Sequence, residues 1–325
     1  MSLSYIGTRT STNKGVPFKR MREDVESFSM TDFSASHYGD GLLSIGSVNV
    51  KNLELKDAVL DDFYRVLYMP YANGVLSSFT VSHITATNLE RGFSHLKEAH
   101  DGYFLDVEAV ARLGTTTDIP CGFATGDYPT SDIVYERCYA GGFQQHRKEG
   151  SYWNGDGFSD ERQATGMAYL NCAAMDNADA GLDTKSVGVV VRGFSSYGNG
   201  RNLRLWGSGT IEDFASKDPR NAHIWVGGED RLGTYTITRP VFSGGSDKPH
   251  IQIESGWDGA KIIVIDPVVP AGEELRIVQS GTGLRVPVEI SYTKPARVPR
   301  VLPTTVVVDG ATYSGELTEV LEEKS

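Results

Sequence analysis

Along nearly the whole chain, apolar and polar residues alternate over short stretches, and each stretch ends at a polar or small residue before a turn. The unit reads Phe28-Ser29-Met30-Thr31-Asp32-Phe33, then Leu53-Glu54-Leu55-Lys56-Asp57-Ala58, then Phe79-Thr80-Val81-Ser82-His83-Ile84. It returns around Asp106, Arg137, Asn171, Gly193, Asp213, Arg239, Asp266 and Tyr292. Alternation with a period of two marks strands. Successive anchors from Asp32 to Tyr292 lie 20 to 34 positions apart, the spacing of a solenoid whose turns bury their inner faces against one another. The leucine-rich repeat pattern is absent, and a propeller blade would need a period of about 40. The pattern predicts an all-β fold, a right-handed parallel β-helix of about ten to eleven turns.

Each turn carries a second strand, seen as Gly157-Phe158-Ser159-Asp160, Gly181-Leu182-Asp183-Thr184, Asn202-Leu203-Arg204-Leu205, His223-Ile224-Trp225-Val226, His250-Ile251-Gln252-Ile253 and Glu274-Leu275-Arg276-Ile277. Phe158, Leu182, Leu203, Ile224, Ile251 and Leu275 align as an inward column. Ser159, Asp183, Arg204, Trp225, Gln252 and Arg276 then align outward. The longest insertions fall between Asp106 and Asn171, where they would wall a cleft. Three regions follow: an N-terminal cap over 1–27, the solenoid over 28–293, and a C-terminal hairpin with a polar tail over 294–325.

Composition supports strands joined by tight turns, with 36 glycines, 39% apolar residues and 22% charged residues. Thirty-one basic against 42 acidic residues give a net charge of −11, which argues against general nucleic-acid binding. No apolar run reaches the ~20 residues of a membrane helix, and no signal peptide is visible at Met1. Cys121, Cys138 and Cys172 form no CxxC pair, which speaks against a zinc site and a disulfide framework. Cys138 and Cys172 occupy equivalent places in their repeats and read as stacked core residues.

The densest polar cluster spans three consecutive turns: Asn154-Gly155-Asp156-Gly157, then Asn177-Ala178-Asp179-Ala180-Gly181-Leu182-Asp183, then Gly198-Asn199-Gly200-Arg201-Asn202-Leu203-Arg204. Its register brings Asp156, Asp179 and Asp183 toward one corner, with Arg204 one rung beyond. Carboxylates so gathered repel unless protonated or neutralised, and oxygen-rich turns suit Ca²⁺. The competing reading is that Asp and Asn fill solenoid turns because they tolerate left-handed geometry. Arg201, Arg147, Lys148 and Tyr152 could bind a polyanion nearby, and Trp206 and Trp225, both outward by alternation, could stack on sugar rings.

These runs resemble the calcium-site signature of family 9 polysaccharide lyases, β-helix enzymes that cleave uronic-acid polymers by β-elimination. The resemblance covers roughly residues 150–210. It implies Asp156, Asp179 and Asp183 as calcium ligands and Arg204 at the base position. Ala180 stands where that family has an acidic ligand, and Arg204 where it has Lys, so Lys185, His146 or Tyr152 enter as alternative bases. The same register resembles family 28 glycoside hydrolases, with Asn154-Gly155-Asp156, Asp179-Ala180 and Gly198-Asn199-Gly200 in the places of their three motifs. That likeness implies Asp179 as general acid and Asp156 as the group activating water. A non-catalytic glycan-binding β-helix of tailspike or adhesin type is the third reading. The expected partner is an acidic polysaccharide, with no nucleic acid or membrane, and the expected location is extracellular or periplasmic.

Overall fold

The computed structural model describes residues 3–9, 15–114, 118–126, 128–146, 153–228, 233–254, 259–280, 285–293, 303–308 and 311–316. Among them no helix occurs. The strands form two sheets, of nineteen and thirteen segments, whose rungs pair in parallel from turn to turn as a right-handed β-helix.

The recurring anchor is the bend of each turn. Asp32, Asp57, His83, Asp106, Arg137, Asn171, Asp213, Arg239 and Asp266 all take φ between 50° and 55°, and Gly193 takes 65°. A left-handed residue inside an extended strand uses up one position, so the inward pattern resets behind it. Ile133 and Tyr135 point inward before Arg137, and Cys138 and Ala140 point inward after it. Met167, Tyr169, Cys172 and Ala174 repeat this around Asn171. A second left-handed column follows five residues later, at His37, Asp62, Asn88, Asp176 and Asp218, with glycine at 142, 198 and 244. The glycines are required where a carboxylate from the rung below lies over the backbone. A Cβ on Gly244 would stand 1.7 Å from Asp218 Oδ1.

Eleven repeats read from the sequence are eleven consecutive rungs of the larger sheet. The segment read as an N-terminal cap adds a further rung, since Leu3–Ile6 pairs in parallel with Phe33–Ser36. At the other end Pro303–Val308 pairs in parallel with Arg276–Gln279 and antiparallel with Ala311–Glu316.

The inward column of the second sheet is in the expected register from Phe158 through Leu182, Leu203 and Ile224 to Ile251. The last step differs. Ile251 pairs with Ile277 and Gln252 with Val278, two residues beyond the expected Leu275 and Arg276. A turn at Pro270–Glu273 absorbs the difference. A slip of two preserves which face each side chain takes, so the apolar pattern could not reveal it.

Inside, aromatic rings stack along the axis: Phe104 on Tyr135 at 4.8 Å, Tyr135 on Tyr169 at 5.2 Å, and Phe123 on Phe158 at 4.9 Å. Cys138 and Cys172 are free, buried and on adjacent rungs beside this stack. Phe158 also meets Tyr169 and Phe194 edge-on. Truncating it leaves a cavity that extended, paired strands cannot collapse. Phe158→Ala is therefore expected to cost about 3–5 kcal/mol in unfolding free energy, read from the denaturant midpoint. Val59→Thr, at an exposed position, should leave that midpoint nearly unchanged.

Candidate functional site

The strands Asp156–Asp160, Ala180–Thr184, Arg201–Leu205 and Ala222–Val226 are consecutive rungs of the second sheet. Each places two adjacent residues inward. A Cβ on Gly181 would fall 2.1 Å from the buried Ser196 Oγ, and its neighbour Leu182 is also fully buried. Asn202 and His223 occupy the equivalent position and point inward too, each bonding Ser216 Oγ at 2.8 Å. The residues before and after these inward pairs therefore form two outward columns. One holds Asp156, Ala180 and Arg201; the other holds Ser159, Asp183, Arg204 and Trp225.

The expected aspartates do meet on this face, deeply set, with Asp156 2%, Asp179 6% and Asp183 2% exposed. Asp179 accepts from Arg201 Nη1 through Oδ1 and from Arg204 Nη1 through Oδ2, both at 2.6 Å. Asp183 Oδ1 accepts from Trp206 Nε1 at 2.6 Å, while Arg204 Nη1 and Lys185 Nζ stand 3.4 and 3.6 Å from Oδ2. Asp156 Oδ1 accepts the Ala180 N–H at 2.8 Å. Burial, then the charges of Asp183 and Asp179, push the Asp156 carboxyl well above the usual range, against the pull of Arg204 and the Ala180 N–H.

Lys185 donates to Glu161 at 2.7 Å. Burial lowers its pKa, but Asp183, Glu161 and Asp156 outweigh that and keep the ammonium charged. Its chemistry here is that of a fixed cation. Trp206 lies beside this network, half-buried, with the Arg204 guanidinium 5.0 Å over its ring. Trp225 corrects the expected exposure: it is on the outward column but only 3% exposed. Arg201 and Arg204 cover its ring at 5.6 and 5.0 Å, and Trp206 packs on it at 4.5 Å. Outward direction on a strand does not mean solvent when long side chains from the neighbouring rung lie across it.

Asn199 is also placed differently from the hydrolase-like reading. It is fully buried in the interior, where its side chain accepts the Asn177 N–H and donates to Ser196 and Asn202. It continues an internal amide column that satisfies the corner backbone. Arg147, Lys148 and Tyr152 lie outside the described residues. His146 is exposed at the start of that insertion, and Trp153, at its end, donates to Gln145 O at 3.0 Å.

A calcium ion would draw on the oxygens of Asp156, Asp179 and Asp183. Those oxygens already accept from two guanidinium groups, an indole and a backbone N–H, and among the described residues no group of three or more acidic, His or Cys side chains is disposed to hold a metal ion. This arrangement does not fit Ca²⁺, and its cationic partners are Arg201, Arg204 and Lys185.

Pattern reading places Asp160 and Glu161 in the polar cluster, with Asp160 spaced 23 residues from Asp183, but gives neither a role. Asp160 is fully buried, accepts from the Tyr169 hydroxyl at 2.8 Å, and also takes the Lys185 and Ser186 N–H groups. Burial raises its pKa from 3.8 to about 6, in spite of those donors. The folded state therefore holds this proton more tightly than the unfolded chain does. The stabilisation is complete below pH 3.8 and is lost as pH rises through 6. Asp160→Asn keeps an acceptor for the two N–H groups and removes the charge. It should reduce the fall in unfolding free energy between acid and neutral pH by roughly 3 kcal/mol. An unchanged pH slope in denaturant titrations would rule this origin out.

No protein-family model matches the chain. No curated protein matches it in sequence. Among solved structures it resembles the Azotobacter vinelandii mannuronan C-5 epimerase AlgE6 A-module, at 12% identity and a TM-score of 0.52, covering 91% of this chain and 92% of that one. It also resembles an Acinetobacter phage tailspike, at 10% identity and a TM-score of 0.47, covering 100% of this chain and 61% of that one. A further likeness is to PfbA, a surface adhesin of Streptococcus pneumoniae, at 10% identity and a TM-score of 0.39, with 90% and 91% covered. The first of these defines the class: the chain is a parallel β-helix protein. At such identities the likeness is one of fold.

Proposed function

We propose that the chain acts on an acidic, uronate-containing polysaccharide laid along the outer face of the second sheet, and cleaves it by β-elimination. The observation that carries this reading is the gathering of Asp156, whose carboxyl is pushed well above the usual range by burial and by Asp183 and Asp179, beside Arg201 and Arg204, whose guanidinium groups are held by the buried Asp179. Arg201 and Arg204 would neutralise the sugar carboxylate and so acidify the C5 proton beside it. A base removes that proton, its electron pair forms the C4–C5 double bond, and the C4–O bond breaks. Asp156 would give its proton to the departing oxygen. Lys185, as a fixed cation, suits charge neutralisation better than proton abstraction, and a guanidinium is a poor base. His146, exposed on the adjoining insertion, is the base this reading selects among the described residues.

The epimerase likeness supports the reading, because the name of that protein is of a uronate-polymer enzyme working at C5. Elimination and epimerisation both begin by removing the proton beside a carboxylate. Substrates of this kind lie outside the cytoplasm, so the protein would work in an extracellular or periplasmic setting. A hydrolase in which Asp179 is the acid is less favoured, because both Asp179 oxygens accept from guanidinium groups. Glycan binding without cleavage is the second reading, favoured by how completely the cluster is paired.

Uronate polymers incubated with the protein should gain the ultraviolet absorbance of an unsaturated product, unaffected by a chelator. Arg204→Gln should lower kcat/KM by roughly 10²–10³, and His146→Ala should abolish the absorbance without abolishing binding. New reducing ends without absorbance would identify hydrolysis. Binding with neither would identify a glycan-binding module.

A further inference from the structure

The face that carries the aspartates continues toward the N-terminus. Arg65 pairs with Gly92, the strand Gly92–Leu96 pairs with Cys121–Thr125, and Cys121 pairs with Asp156. Arg65 thus lies in the same column as Asp156, three rungs away, or roughly 14 Å. Between them the first outward column holds only Gly92 and Cys121, while the second holds His95 and Ala124. Bulky groups return at the far end. Tyr68, in the second column, lies under the Arg65 guanidinium at 4.9 Å and stacks on His95 at 5.9 Å.

Arg65 is 4% exposed, and among the described residues its Nε has no hydrogen-bond partner. Its neighbour is a second cation. The Arg91 guanidinium donates to Ile119 O at 2.9 Å and lies 3.4 Å from the Tyr64 hydroxyl, which in turn donates to Asp118 at 2.6 Å. Burial and the charge of Arg91 depress the Arg65 pKa to about 10. A guanidinium with an unmade hydrogen bond beside a like charge is an arrangement that an oxyanion would relieve. Arg201, at the other end of the face, also has an unmet Nε, but it and Arg204 each have a carboxylate, whereas among the described residues Arg65 and Arg91 have none.

We infer that Arg65 and Arg91 form an oxyanion-binding site at the N-terminal end of this face, which takes a carboxylate or sulfate carried by a glycan chain. The oxyanion itself follows from Arg65 and Arg91 alone; the glycan as its carrier rests on the function proposed above.

Two measurements separate these. Thermal unfolding in sodium sulfate, against sodium chloride of equal ionic strength, should show a saturable rise in Tm for the unmodified protein. Sulfate stabilises all variants by exclusion without saturating, so only the saturable part reports binding. Arg65→Met and Arg91→Gln should each weaken it about tenfold, roughly 1.4 kcal/mol, while Val59→Thr, at an exposed position, should not. Equal saturable rises in both Arg variants and the unmodified protein overturn the site. If Arg65→Met fails to fold, Arg91→Gln, at a half-buried position, decides alone. In calorimetry, uronate oligomers long enough to span three rungs should bind more tightly than shorter ones, and Arg65→Met should remove that advantage. A long-chain advantage that survives Arg65→Met overturns the inference and leaves the acidic-glycan reading standing. An Arg65-dependent sulfate response with no binding of either oligomer supports the site and refutes the glycan reading.

Discussion

The structure depends on one backbone event repeated in register, the left-handed residue at the bend of each turn. A strand pairs with its neighbours only if its hydrogen-bonding groups stay in plane, yet a solenoid must keep turning toward its axis. The left-handed residue reconciles the two by resetting the alternation, so that the residues before and after the bend both face inward. Asp, Asn, His and Gly supply most of these positions, as their conformational tolerance predicts. Arg137 and Arg239 adopt the same φ with bulkier side chains, and each is a bidentate partner of the carboxylate on the preceding rung, Asp106 and Asp213. Being exposed, such pairs contribute little to stability. Their consequence is registration, because they align only the bend of one turn with that of the next.

Stacking rungs also imposes an electrostatic constraint. Every side chain lies about 4.8 Å from its equivalents above and below, so a column that repeats one charge is penalised, and only short repeats such as Asp32 and Asp57 occur in the bend column. The bend column obeys this through Asp57, His83, Asp106 and Arg137. The functional face obeys it through Asp183 beneath Arg204 and Asp179 between two guanidinium groups. Where burial outweighs the pull of a neighbouring cation, the carboxyl is pushed upward instead, as at Asp156 beside Arg204 and at the interior Asp160 beside Lys185.

Much of this was legible in the sequence because a solenoid makes three-dimensional neighbours out of residues at a fixed spacing. The repeat anchors, the inward column from Phe158 to Ile251 and the gathering of Asp156, Asp179, Asp183 and Arg204 all follow from period and parity alone. What escaped had no periodic signature. The slip of two at Ile277 leaves parity intact. The burial of Trp225 depends on how far the Arg201 and Arg204 side chains reach across a rung. The two adjacent inward positions of the second sheet moved Asn202 inside, and the corner amide column did the same for Asn199. Their trace was the glycine column at 122, 157 and 181, where an inner Cβ has no room.

The two ends of the functional face differ in a way that bears on what the fold selects. At Asp179 the charges are balanced within the protein, so the site is preorganised and a ligand must compete with existing partners or align with dipoles already fixed. At Arg65 and Arg91 like charges are adjacent and, among the described residues, neither guanidinium has a carboxylate partner; the unmet Nε of Arg65 is shared by Arg201. A folded chain accepts such strain only where neighbouring packing over-determines it, and here the Tyr68 ring and the Tyr64 hydroxyl hold the two guanidinium groups in place. A polyanion lying along this face would thus meet a charge-paired network at one end and, at the other, two guanidinium groups with no carboxylate partner among the described residues. That asymmetry gives the face a direction, which a chemistry that distinguishes the two ends of a glycosidic bond requires.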